Sequence, residues 1–276
     1  MALNANTYYS NSIQGIPGAG VDVNVETVDS SPRYPAGYLV ERADGNRFRY
    51  CNIGTATNQG ELVGPSTNGQ LAYTGAAIIA PASATVVPQE YPITPGSIGS
   101  HYIQITLSSI AANKYQGAYA ILTGGTGVGQ TYRIVGNTAS NNPTTGTLYI
   151  QLYEALQTAV TAQTGIIITQ SMFTDLAVTA TTAPQVTGVL MGTTTSTNLW
   201  GWVCTHGVSG CAEDATNTIT AGQQVIASPV TAGSYARAGQ SANTLVGNAL
   251  NFPYIGYSLV PAGSSSRLGT IFLQLE

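Results

Sequence analysis

The chain has 276 residues, enough for one large domain or two to three modest ones, each with a core of ordinary size. Eight basic and twelve acidic residues give a net charge of −4, and only 7% of positions are charged against about 25% in an average globular protein. That balance argues against nucleic-acid binding through a clustered positive face, and no apolar run reaches the roughly 18 residues of a membrane-spanning helix.

Lys114 is the sole lysine, so the polar surface must come from Thr, Ser, Asn and Gln. Such residues suit strands and turns, and also surfaces that other subunits will cover. The opening Met-Ala-Leu-Asn-Ala-Asn-Thr-Tyr-Tyr lacks the basic and apolar segments of a secretory signal. The expectation is a protein made and kept in a cytoplasm, or leaving it inside something larger.

Residues 1–30 hold few large apolar groups beyond Tyr8 and Tyr9 and read as an extended N-terminal arm, unable to bury enough area to fold alone. Tyr8 and Tyr9 are expected to anchor that arm on a neighbouring surface, since tyrosine offers large contact area for little rotamer entropy. The alternation of Val21, Val23 and Val25 predicts a strand. Tyr38–Arg42 and Arg47–Ile53 predict a hairpin, with Asp44-Gly45 as a two-residue turn. Arg42, Arg47 and Arg49 are interleaved with Glu41 and Asp44, which points to a solvated hairpin with local ion pairs. After Gly54 a polar loop leads to Gly60-Glu-Leu-Val63.

Pro81, Pro88, Pro92 and Pro95 thin the backbone donors of an extended stretch and suggest a boundary near residue 95. Six short strands are then predicted, near 101–107, 118–123, 131–135, 147–153, 165–169 and 175–179; only 154–162 has a helical pattern. Between the second and third lies a loop with Gly124, Gly125, Gly127 and Gly129. It superficially matches a phosphate-binding loop, but Gln130 stands where the lysine belongs and a strand, not a helix, follows. A glycine-rich β-hairpin is expected instead.

Further strands are predicted at 186–190, 199–207, 223–227, 254–260 and 270–275. Trp200 and Trp202, two apart, share a strand face, and Gly201 between them suggests close approach of another backbone. Burial in a core or subunit interface is the expectation for this pair, ahead of carbohydrate stacking. Tyr50-Cys-Asn-Ile-Gly54 and Val203-Cys-Thr-His-Gly207, each followed by a G-x-x-V step, form a faint internal echo that suggests equivalent places in one sandwich.

Three cysteines do not make a disulfide framework. Cys204 and Cys211 could close a short hairpin, but free, packed thiols are expected in a reducing cytoplasm. Cys204, His206 and Cys211 lack a fourth ligand at zinc-motif spacing, so no metal is expected. His101 and His206 lie outside any nucleophile motif. The acids are thinly spread; Glu213 and Asp214 are adjacent and point to opposite faces, so solvated loop acids are expected rather than a glycosidase pair. No catalytic residue, metal site or cofactor is expected, and the chain reads as a non-enzyme.

Gly117–Ile134, Leu199-Trp-Gly-Trp-Val203 with Gly207, Tyr254-Ile-Gly-Tyr257 ahead of Phe272-Leu-Gln-Leu, and Ala43–Tyr50 with its G-x-x-V step together resemble tailed-bacteriophage virion structural proteins, specifically capsid cement or decoration proteins. The likeness runs over about residues 38–276, with Cys204 and Cys211 as departures. It implies a capsid-exterior location after assembly in the host bacterial cytoplasm. It also implies the major capsid protein as partner and self-association, a trimer favoured and a dimer possible. Tyr8, Tyr9, Trp200 and Trp202 are the expected subunit or capsid contacts. A tail- or fibre-associated adhesin binding host surface glycan is the alternative. The expected fold is all-β, with two or more small β-sandwich or barrel domains: 31–95 plus 183–276, and an inserted domain 96–182.

Overall fold

The computed structural model describes residues 23–66, 96–107, 110, 112–140, 146–161, 164–169, 171–181, 185–215, 218–238, 253–262 and 268–276, and the backbone of 71–77. The described residues form an all-β protein without helices. The strands are β1 (Leu39–Glu41), β2 (Arg47–Ile53), β3 (Leu62–Pro65), β4 (Leu71–Ala77), β5 (Tyr102–Thr106), β6 (Tyr119–Leu122), β7 (Thr131–Asn137) and β8 (Thr147–Leu152). There follow β9 (Gly165–Thr169), β10 (Leu176–Val178), β11 (Gly188–Leu190), β12 (Leu199–Ala212), β13 (Gln224–Ala227), β14 (Tyr235–Arg237), β15 (Tyr254–Val260) and β16 (Leu268–Gln274).

Two compact units emerge, one drawn from within Met1–Asn68 and Met172–Glu276, the other from within Gly69–Ser171. The boundaries therefore differ from those expected. β4 joins the second unit by pairing with β9, and β10, predicted inside the insertion, belongs to the first. Leu176 explains the return: its fully buried side chain and its pairing with both Ile53 and Pro65 tie β10 between β2 and β3.

That placement closes a ring. β2 pairs β10, β10 pairs β3, β3 pairs β11, β11 pairs β12, and β12 pairs β2, giving a five-stranded barrel. Cys51, Ile53, Val63, Leu176, Leu190 and Val203, with at least one from each strand, form a cluster of their own that fills its interior against Phe173. The alternate residues of the same strands point outward. Phe48, Tyr50, Leu62, Val189, Trp202 and Cys204 join a larger core shared with β13–β16.

β12 serves both cores because it is 14 residues long and bulged. Its first half pairs β2, its second half pairs β16, and His206 is opposite both Arg47 and Gln274. The register slips between Cys204 and His206, so the alternation changes phase and Cys204 and Cys211, seven apart, face the same core. Gly207 carries the bend at φ +99°, and a Cβ there would collide with Asn46. The echo between 50–54 and 203–207 is resolved differently from expectation. The two segments lie on antiparallel neighbouring strands, β2 and β12, offset so that Tyr50–Ile53 face Leu199–Trp202 and Val203–His206 face Arg47–Arg49, rather than as equivalents in a sandwich.

The β1–β2 hairpin turns through three residues, not two. Arg42 N–H donates to Asn46 O, and only Gly45 has positive φ, at +84°. Asp44 instead accepts the Asn46 N–H on Oδ1 at 2.9 Å. Val23 and Val25 are buried in the larger core, yet they lie outside any strand. Residues 1–22 of the predicted arm and the proline-rich 81–95 lie outside the described residues, while 23–30 of the arm pack into the first unit through Val23, Val25 and Asp29.

The second unit is a six-stranded antiparallel sheet in the order β4-β9-β6-β7-β8-β5. Its strict alternation puts Ile103, Ile105, Ala120, Leu122, Tyr132, Ile134, Leu148, Ile150, Leu152, Ile166 and Ile168 into one core. Residues 154–161 are not helical. Leu156 and Val160 are buried in that same core, and the Leu156 and Val160 N–H groups donate to Ser100 and Gly96. Long-range burial has overridden the local pattern there.

Candidate functional site

The most concentrated chemistry on the first unit is aromatic. Tyr50 stacks on Trp200 (centroids 5.6 Å, 17°) and tilts against Trp202 (5.0 Å). Tyr34 stacks on Tyr38 (5.0 Å, 13°) and reaches both Tyr50 and Trp202. Both tryptophans thus lie on one strand face, as their spacing predicted. Trp202 is buried, whereas Trp200, Tyr34 and Tyr38 are half-buried. Gly201 does not admit a close backbone: the nearest atom to a Cβ there is Val28 Cγ2 at 4.0 Å. The close approach is made at Gly188, packed on the Cys204 carbonyl.

A buried acid that the sequence did not single out ties this cluster together. Asp29 exchanges both backbone hydrogen bonds with Trp200, each 2.8 Å. Its carboxylate accepts the Tyr50 hydroxyl at 2.9 Å and pairs with Arg33 Nε at 2.7 Å. The Arg33 N–H donates to the Tyr50 oxygen. Burial, and then the carboxylate beside it, pushes the Tyr50 phenol well above its ordinary range, so it stays a donor. The segment Val28-Asp-Ser-Ser carries no pattern that marks this role. Tyr8 and Tyr9 lie outside the described residues.

The expected acids and bases have structural duties. Asp214 is not the solvated loop acid that was expected: it is fully buried, accepting from Ser228 Oγ (2.6 Å) and Thr231 Oγ1 (3.3 Å). Its neighbour Glu213 turns the other way to accept the Tyr235 hydroxyl and the Ala262 N–H. Asp175 accepts from Ser66 Oγ, and Glu61 accepts from Asn58. Arg47 pairs with Glu41 at 3.5 Å, while Arg49 reaches Glu276 at 2.7 Å and the Gly37 carbonyl. The His101 ring meets Leu152 O and the His206 ring meets Glu276 O.

Cys204, His206 and Cys211 divide across the sheet: the two thiols face the core, and the imidazole stands on the outer face against Phe272 at 5.4 Å. Among the described residues no group of three or more His, Cys, Asp or Glu is placed to hold a metal ion. Cys51, Cys204 and Cys211 are free and buried. Burial pushes the Cys204 thiol up to about 12 and raises Cys51 and Cys211 well above their ordinary value. Native protein is therefore expected to leave all three thiols unmodified by a disulfide reagent at mildly alkaline pH and to titrate three after denaturant; rapid native labelling would contradict the packing. A pH dependence follows with a definite sign. The unfolded thiols ionise near pH 9.0 while the folded ones keep their protons, so stability is lost as pH rises from there towards about 12. Calorimetry should show the melting temperature falling above pH 9.0, and a flat profile through that range would contradict this account.

The glycine-rich loop is a β-hairpin. β6 and β7 pair from Tyr119–Arg133 to Ile121–Thr131, and Gly125, Gly127 and Gly129 all have positive φ. Gln130, at the position of a phosphate-binding lysine, is held by the Tyr132 hydroxyl (2.6 Å) and Thr158 Oγ1 (3.1 Å), while Thr126 donates to Ala159 O. The loop is fastened to the 157–161 segment.

No helix among the described residues is long and apolar enough to cross a membrane. No family model, curated protein or solved structure matches the chain.

Proposed function

We propose that the chain is a non-enzymatic structural protein of a tailed-bacteriophage virion. In this reading it assembles in the host cytoplasm, binds the outer capsid surface as a homo-oligomer and cements neighbouring major capsid protein subunits. One observation supports it above the others. The described acids, thiols and histidines discussed above are bound into the fold, while large apolar groups stand exposed on strands of both units, such as Tyr119 at 47% and Val208 at 48%. Groups turned inward are spent on stability, and apolar groups turned outward suit surfaces that other subunits cover.

A shell repeats one contact many times, so modest affinity at each site becomes firm retention through multivalency. A surface of Thr, Asn and Gln forms hydrogen bonds at such contacts without the desolvation cost of charges. Purified protein is expected to co-sediment with expanded capsids and raise their melting temperature. Removal of residues 1–20 should weaken capsid attachment more than it lowers the protein's own melting temperature. Failure of the full chain to bind capsids, or turnover of an envelope polysaccharide by it, would overturn the reading.

A glycan-binding adhesin is the second reading, favoured by the half-buried Trp200 stacked on Tyr50 beside Tyr34. Trp202 drops out of that platform because it is buried. Glycan-array signal lost in a folded Trp200→Ala protein would support it, and a blank array would dismiss it.

A further inference from the structure

The outer face of the second unit's sheet carries a single charge. Across β5–β9 the only charged residue is Arg133, and it is exposed. Alternation turns Tyr119, Arg133 and Tyr153 outward together, because Ala120, Tyr132, Ile134 and Leu152 point into the core. The three stand in one row. Arg133 is opposite Tyr119 on β6, and its carbonyl accepts the Tyr153 N–H at 2.8 Å just past the end of β8. Thr169 on β9 extends the row beyond Tyr119, while Thr131 and Gln151 flank it on β7 and β8. Tyr153 is 67% exposed. Arg133 forms no ion pair among the described residues, and Glu154, the acid next to Tyr153 in sequence, is not paired with it.

The geometry points to a binding site for a carboxylate-bearing saccharide on this face. The backbone narrows the choice of ligand. β6 and β7 are each paired on both sides, so an extended peptide cannot add to them as a further strand, and the face is read by side chains alone. A permanent, unpaired guanidinium with its planar fork of donors suits one carboxylate. A polyphosphate is a poor match, since one cation releases few counterions and the chain as a whole carries −4.

The groups around the cation select a sugar. Tyr119 and Tyr153 flank Arg133 from the neighbouring strands, about 9.6 Å apart at two strand spacings, and both are exposed. A tyrosine ring packs on the C–H face of a pyranose while its hydroxyl bonds to the sugar's hydroxyls. Thr131, Thr169 and Gln151 supply further hydroxyl and amide partners without a competing charge. A protein contact of standard size has an apolar centre, whereas the described outward positions of β5–β9 offer one exposed aliphatic, Val135. Tyr119 thus meets saccharide, and the exposed apolar groups of the first unit remain for subunit contacts.

The inference rests neither on capsid binding nor on the Trp200 platform. Its test probes an array of uronate-bearing, sialate-bearing and neutral glycans with the full chain, beside Arg133→Gln, Tyr153→Ala and Trp200→Ala, with melting temperature confirming each fold. Arg133 and Tyr153 are exposed, so their variants are expected to fold. Wild type should bind acidic glycans, the array telling a uronate from a sialate source, and should ignore neutral glycans and methyl esters of the acidic ones. Titration with the acidic glycan bound should weaken about tenfold in Arg133→Gln and about fivefold in Tyr153→Ala, and should be unchanged in Trp200→Ala. A blank array overturns the inference, as does binding that survives Arg133→Gln or that ignores esterification. A signal lost only in Trp200→Ala overturns it in favour of the first unit's aromatic cluster. A blank array together with weaker capsid attachment by Arg133→Gln overturns it by giving the face to a protein partner. Acidic-glycan binding by a chain that ignores capsids leaves this inference standing and sinks the capsid reading.

Discussion

Trp202→Ala is expected to destabilise the first unit by about 4 kcal/mol, the range for removing a buried tryptophan from a packed core. Trp202 is 2% exposed and touches Tyr34 and Tyr50, and its Cα partner on β2 is Tyr50 itself. Its loss would open a cavity in the first unit where the barrel wall meets β13–β16, and Asp29, Tyr50 and Trp200 would lose a packed surface to lean on. The denaturation midpoint should fall with the slope unchanged. Trp200→Ala is the control: half-buried and held mainly by its backbone exchange with Asp29, it should cost less than half as much. Because these are the chain's two tryptophans, each single variant also isolates the other's fluorescence. Equal losses for both variants would contradict the assignment of Trp202 to the core and Trp200 to the rim.

Gly207→Ala is the second large effect, expected at about 3 kcal/mol from backbone strain at positive φ together with a collision and a lost hydrogen bond. The backbone is at φ +99°, and the new Cβ would strike Asn46, whose Oδ1 accepts the Val208 N–H at 2.8 Å. Gly222→Ala separates the contributions: φ is +81° there with nothing within 4 Å, so only strain is felt, about 1 kcal/mol. Gly207→Ala should also loosen the phase change that turns Cys211 inward, speeding its labelling relative to Cys51. Identical costs at the two glycines, with Cys211 still protected, would show that the bulge does not depend on Gly207.

Most strands were legible because alternation is a local signal. Arg47–Ile53, with Phe48 and Tyr50 on one face and Cys51 and Ile53 meeting the barrel interior, coincides with its predicted span. The glycine hairpin was legible because Gln130 and the following Thr-Tyr-Arg-Ile exclude a phosphate loop on chemical grounds. Barrel closure was not legible, since β10 is three residues long and its partners Ile53 and Pro65 are more than a hundred positions away. The same distance hid the boundary, which follows pairing rather than the proline-rich stretch. Two local readings failed: the Asp44-Gly45 turn takes a third residue through the Arg42–Asn46 pairing, and the 154–161 segment is set by bonds from Leu156 and Val160 to Ser100 and Gly96, far away in sequence.

The aromatic site was half legible. Spacing put Trp200 and Trp202 on one face, but it could not say that Tyr50 would stack between them or that Asp29 would clasp the strand. Asp214 shows why single residues mislead. An acid in a polar loop is ordinarily solvated, and the hydroxyls of Ser228 and Thr231, brought in from another turn, help make its burial tolerable.

The proposed role is tested most directly by a density map of the intact particle whose genome encodes the chain. The expected result is two all-β units per copy on the exterior of the head, bridging capsid subunits and repeated over the shell. Density confined to the tail or its fibres, or a particle that lacks the chain, would contradict it.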